Sequence, residues 1–188
     1  MNIENYHLRN FADKYLQEVE EVCDTIYNLD LLPALEMIRG AERVWLAGNG
    51  GSATLASHMA TDLQLAGIKA LSLTDVAAIT TYANDFSYAE SLSKQVRLLC
   101  GEKDLLILIS GSGNSTNIYQ AILASQFNAC PVMAILGLSG GYIGDTGLGA
   151  KDLILHLPTN GMGPAQDGHQ ILLHILCYYL IEQLKERK

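Results

Sequence analysis

Five short apolar runs, most of them separated by helix-compatible segments, restrict this chain to one fold class. They are "RVWLAG" at 43–48, "IKALSL" at 68–73, "DLLILIS" at 104–110, "PVMAIL" at 131–136 and "DLILHL" at 152–157. Segments 52–66, 76–100 (with a break near Asn84) and 115–128 carry helical patterns between them. Strands alternating with helices build a parallel sheet covered on both faces. The runs are nearly all apolar rather than alternating, as strands buried on both faces must be. The expected fold is therefore α/β, with a five-stranded parallel sheet, doubly wound.

Helical patterns flank this core. Residues 4–27 and 31–38 precede it, and Leu16, Val19, Val22, Cys23 and Ile26 form an apolar stripe at three-to-four spacing. The segment 165–188, with Leu172, Leu173, Leu176, Leu180 and Leu184, reads as a long closing helix. At 188 residues, with no internal repeat or linker, the chain is expected to be one domain with an ample core. No apolar stretch reaches the roughly 18–20 residues that span a bilayer, and the polar, acidic start lacks a signal-peptide pattern. The four cysteines form no CxxC pair and read as reduced thiols of a cytoplasmic protein. A net charge of −8 argues against a general nucleic-acid binder, which needs a basic face. It leaves room for a small anionic ligand held by amides and hydroxyls.

Two glycine-rich loops stand at strand ends, where open α/β sheets bind ligands. The first, "GNGGS" at 48–52, lacks both the GxGxxG spacing and the GKS/GKT ending of nucleotide loops. Alone it is equally a tight turn or an anion loop. The second, "SGSGNSTN" at 110–117, carries Ser110, Ser112 and Ser115 and no lysine or arginine. One serine is only a helix cap. Three in a glycine loop, opposite a second such loop, point to phosphate held by neutral donors and helix N-termini.

The stretches "GNGGSATLASHMATDL" at 48–63, "YANDF" at 82–86, "ISGSGNS" at 109–115 and "QDGHQILLHIL" at 166–176 resemble the SIS family of phosphosugar isomerases, and within it the phosphoheptose isomerases. The resemblance implies a flavodoxin-like SIS fold, with 1–40 as N-terminal oligomerisation helices and 41–188 as the α/β core and C-terminal helix. It implies aldose–ketose isomerisation of sedoheptulose 7-phosphate to D-glycero-D-manno-heptose 7-phosphate, or of a related sugar phosphate, in heptose biosynthesis. A homotetramer with sites at subunit interfaces and one zinc per site would follow. Carried over by position, Asn49, Gly50, Gly51, Ser52, Asn84, Asp85, Ser110, Gly111, Ser112, Ser115 and Gln166 contact substrate. Asp62 and His174 are the catalytic acid–base pair, and His58, Asp62, Gln166 and His174 the metal set.

Helical spacing is compatible with that set. His58 and Asp62 are four apart and share a helix face, and Gln166 and His174 are eight apart, about two turns. Imidazoles and a carboxylate suit zinc. Without the resemblance, His58 and Asp62 read first as solvated helix residues and His174 as a core histidine. His7, His156 and His169 receive no role. The chain departs from the family at four positions: Asp62 stands where relatives carry glutamate, Thr61 where a second acid is common, Gly111 where threonine is common and Gly163 where aspartate is usual. The phosphate end is better kept than the sugar end. That pattern leaves open a non-catalytic phosphosugar sensor or protein adaptor beside the isomerase.

Overall fold

A computed structural model describes residues 3–186. Helix α1 (Ile3–Asn28) and helix α2 (Leu32–Gly40) lead into strand β1 (Val44–Gly48) and helix α3 (Gly51–Leu65). Strand β2 (Ala70–Ser72), helix α4 (Val76–Asp85), a 3-10 turn (Tyr88–Glu90) and helix α5 (Ser91–Leu99) follow. The chain continues through strand β3 (Leu105–Ser110), helix α6 (Thr116–Phe127), strand β4 (Val132–Leu136), helix α7 (Gly141–Thr146), strand β5 (Leu153–His156) and helix α8 (Met162–Glu186). All five expected strands form, each trimmed by one to three residues.

The sheet is wholly parallel with order β2-β1-β3-β4-β5. This is the doubly wound, flavodoxin-like order, in which the strand sequence reverses between β1 and β3. Alternate residues of the strands feed two separate cores. Val44, Leu46, Leu105, Ile107, Ile109 and Ile135 face one layer, made with α1, α2, α3 and α8. Trp45, Ala47, Leu106, Leu108, Val132 and Ala134 face the other, made with α5, α6 and α7. Full burial of both strand faces explains why the runs lack alternation.

Three details differ from the sequence expectation. The short α7 was not foreseen, and its Ile143 enters the second core. Helix α8 begins at Met162, earlier than expected, and runs through Gly163 and Pro164; proline is tolerated in a first helical turn, where its missing N–H has no partner to lose. The end of the expected helix, Arg187 and Lys188, lies outside the described residues. The stripe on α1 also divides. Val22 and Ile26 are buried in the first core, so Ile26 is not free to meet a partner, whereas Leu16 is 63% exposed. Gly168 makes that close packing possible, because a methyl group there would collide with Val22 Cγ1.

At the amino edge, buried Asp104 accepts from Arg43 Nε (3.0 Å) and Nη2 (3.1 Å), from Trp45 Nε1 (3.3 Å) and from the Gly101 N–H (2.9 Å). No cysteine is in a disulfide, and Cys100, Cys130 and Cys177 are buried. Burial pushes the Cys177 thiol up to about 12, so it stays protonated. Among the described residues no helix is long and apolar enough to cross a membrane.

Candidate active site

Register brings the two glycine-rich loops together. Gly48 pairs with Ile109 across β1 and β3, so the first loop leaves the sheet beside the point where the second begins. The loops bound a cavity of about 270 Å³ at the carboxyl edge, lined by Asn49, Gly50, Gly51 and Ser52 on one side and by Ser110, Gly111, Ser112 and Ser115 on the other. Met162 and Gln166 of α8 close it. Among the described residues no charged side chain lines it.

The loop backbone demands its glycines. Gly50 has φ +53 and ψ −122, which side chains rarely adopt. A Cβ on Gly51 would lie 2.6 Å from Gln166 Oε1, so the Gln166 amide rests directly on the first loop. Neither α3 nor α6 has a side-chain cap: Gly50 has none to offer, and Ser115 stands at the N-cap without using its hydroxyl for it. Two uncapped helix N-termini therefore meet the cavity, each carrying partial positive charge. Ser110 Oγ accepts the Gly113 N–H (3.1 Å) and Ser112 Oγ accepts the Asn114 N–H (3.2 Å). A hydroxyl that accepts from the backbone keeps its own proton to donate. The cavity thus presents hydroxyl and amide donors to an anion.

Two departures from the resemblance are filled by other side chains. A Cβ on Gly111 would collide with Met162 Sδ, so a thioether occupies the space of a threonine side chain. A Cβ on Gly163 would lie 2.7 Å from Tyr15 Oη. That hydroxyl donates to Asp167 Oδ2 at 2.6 Å, and the bond raises the tyrosine's pKa.

Farther along α3 and α8, His58, Asp62 and His174 converge, with one potential ligand atom of each within 4.8 Å of the others. His58 Nε2 is 3.4 Å from Asp62 Oδ2, and the His58 and His174 rings meet edge-on at 5.2 Å. Asp62 is buried, while His58 is exposed. Two imidazoles and a carboxylate on two rigid helices are a donor set suited to zinc, and they fit a divalent ion by chemistry as well as by proximity. No second such cluster occurs among the described residues. Gln166, the fourth expected ligand, has its amide at Gly51 in the loop cavity.

Asn84 and Asp85 end α4, are exposed and bond to each other at 3.0 Å; neither lines the cavity. His169 is fully buried with neither ring nitrogen bonded, and burial lowers its pKa. His156 Nε2 bonds the Leu138 carbonyl at 3.0 Å and His7 lies against Tyr6. Sequence reasoning missed Met162 and Tyr15, and also Gln170, whose Nε2 is 2.7 Å from His174 Nε2. Its position four residues before His174 was the available signal.

The chain matches the SIS domain family over residues 11–137 and belongs to that family. It is 35% identical over 166 residues to the phosphoheptose isomerase of Coxiella burnetii, covering 85% of this chain and 82% of that protein. It is 37% identical over 142 residues to that of Laribacter hongkongensis, covering 72% of each. The solved phosphoheptose isomerase of Francisella tularensis superposes with a TM-score of 0.81 at 28% identity, covering 97% of this chain and all of that one. Within the SIS domain proteins, the chain is thus a member of the phosphoheptose isomerase family.

Proposed function

We propose that the chain interconverts sedoheptulose 7-phosphate and D-glycero-D-manno-heptose 7-phosphate. The observation that carries the reading is the pairing of two elements along α3: an anion cradle without charged side chains at its start and the His58–Asp62–His174 cluster farther on. Family membership supplies the reaction.

In this reading Ser52, Ser110, Ser112 and Ser115, with the backbone of Asn49, Gly50, Gly51 and Gly111, hold the phosphate. Gln166 orients the sugar next to the cradle. Asn84 and Asp85 stay candidates for its far hydroxyls. Asp62 removes the proton beside the carbonyl, an enediol forms, and His174 returns a proton at the neighbouring carbon. Imidazole suits that task because its two ring nitrogens can accept and donate a proton. His58, Asp62 and His174 would hold a zinc ion; when bound, zinc polarises sugar oxygens. A cytoplasmic homotetramer completes the proposal. It is supported by free cysteines and by the exposed apolar residues of α1, Leu8, Phe11 and Leu16.

Asp62 is one methylene shorter than glutamate, a retreat of about 1.5 Å, and a working base needs to approach its proton within about 2.6–3.2 Å. The test is sugar interconversion alongside metal content. Asp62→Asn is expected to lower turnover by about 100-fold or more while binding persists; loss of metal as well would make Asp62 a ligand. Asp62→Glu is expected to raise activity, and His174→Ala to eliminate it. Inactivity of both the parent and Asp62→Glu would defeat the isomerase reading in favour of a sensor or adaptor.

A further inference from the structure

We infer that Asn117 and Tyr88 are positioning residues that fix the first ligand loop against the second by holding the Asn49 side chain. Asn117, the second residue of α6, is 3% exposed although its side chain is an amide. It pairs reciprocally with Asn49. Asn49 Nδ2 donates to Asn117 Oδ1, and Asn117 Nδ2 donates to Asn49 Oδ1, both at 2.8 Å. Asn117 Oδ1 also accepts the Ile118 N–H at 3.0 Å, which ties the pair to the first turn of α6. Tyr88 is half exposed, yet its hydroxyl reaches across to Asn49 Oδ1 at 2.8 Å. Asn49 Oδ1 therefore accepts two donors, its full capacity.

The consequence follows from the composition of the loop. Gly48, Gly50 and Gly51 surround Asn49, and α3 begins without a side-chain cap. Such a segment has wide backbone freedom, whereas an anion cradle needs its N–H groups at fixed positions. Asn49 is the side chain through which this segment is tied to both α6 and the 3-10 turn. Those two segments are separated in sequence by α5 and β3, yet they pack against each other beside the loop. Tyr88 follows the Asn84–Asp85 pair by only a few residues, so the same bond also links the end of α4 to the phosphate end.

This inference rests on the reading that the two loops hold phosphate, and the experiment separates the two claims. Inorganic phosphate is titrated by calorimetry into the parent, Tyr88→Phe, Asn117→Ala, Asn49→Ala and the Tyr88→Phe/Asn49→Ala pair, with steady-state kinetics on sedoheptulose 7-phosphate. Tyr88→Phe removes one exposed hydroxyl and leaves the ring, so its fold is not at issue. It is expected to weaken phosphate about three- to tenfold, the effect of one neutral hydrogen bond, and to raise KM with kcat nearly unchanged. In the Asn49→Ala background the same change is expected to cost nothing, because Tyr88 acts through Asn49. Hydrogen exchange at residues 50–52 is expected to quicken in Tyr88→Phe and Asn117→Ala. Unchanged phosphate affinity in Tyr88→Phe, or an equal loss with and without Asn49, would overturn the inference while leaving the phosphate reading standing. A parent that binds no phosphate would remove that reading and this inference together.

Discussion

Gly111 and Gly163 look alike in the sequence, as side chains missing from a ligand site, but their surroundings are not alike. The space beside Gly111 is filled by the far end of Met162, a flexible thioether on a residue 44% exposed. Gly111→Thr is therefore expected to be tolerated, with Met162 swinging out. The new hydroxyl is expected to tighten phosphosugar binding by about fivefold. The space beside Gly163 is filled by the Tyr15 ring, held by its bond to Asp167. Gly163→Asp must displace an aromatic ring and set two carboxylates four residues apart on one helix, a repulsive spacing. It is expected to lower the melting temperature, and equal stability of both variants would contradict the contrast. The loop serines and the His58–Asp62 spacing were legible in the sequence because local chemistry and helical period define them. The occupants of the two glycine sites were not, since Tyr15 and Met162 reach them only through the packing of α1 and α8.

Secondary elements were more legible than their partners. The inner strands β1, β3 and β4 announced themselves by runs buried on both faces and the edge strands β2 and β5 by short apolar runs, whereas α7 is too short for periodicity to reveal. The stripe on α1 gave a helix but not its destination, because Val22 and Ile26 pack on the chain's own core while Leu16 does not. Helix α8 shows the same limit. Its inner face carries His169 among leucines, fully buried and without a bond to either ring nitrogen. Burial lowers its pKa in the folded state, so below the unfolded value of about 6.5 the unfolded chain binds more protons. The stability it contributes is present above that pH and is lost as pH falls. Denaturant unfolding between pH 7 and pH 5 is expected to show a decline that is shallower in His169→Gln. Parallel slopes for the two proteins would exclude His169 as the cause.

At the scale of the whole molecule, α1 leaves Leu8, Phe11 and Leu16 each more than 60% exposed. In the proposed assembly these residues are the ones a partner subunit covers. Light scattering at micromolar concentration is expected to give a tetramer, and Phe11→Glu a smaller species; a stable monomeric parent would refute this. One feature of the fold acts on the ligand as a gauge. The loop at Gly51 and the imidazole of His58 belong to the same helix, seven residues apart, which sets their axial separation at about 10 Å. That length is built into backbone hydrogen bonds rather than into the packing of separate parts, so side-chain substitutions around the cavity leave it unchanged. A sugar anchored by its phosphate at one end must be long enough for its carbonyl to reach the other. Across a series of ketose phosphates of increasing carbon number, turnover is expected to be absent for trioses and to rise toward the seven-carbon chain, while phosphate-end affinity stays level. Equal turnover along the series would show that the helix sets no such length.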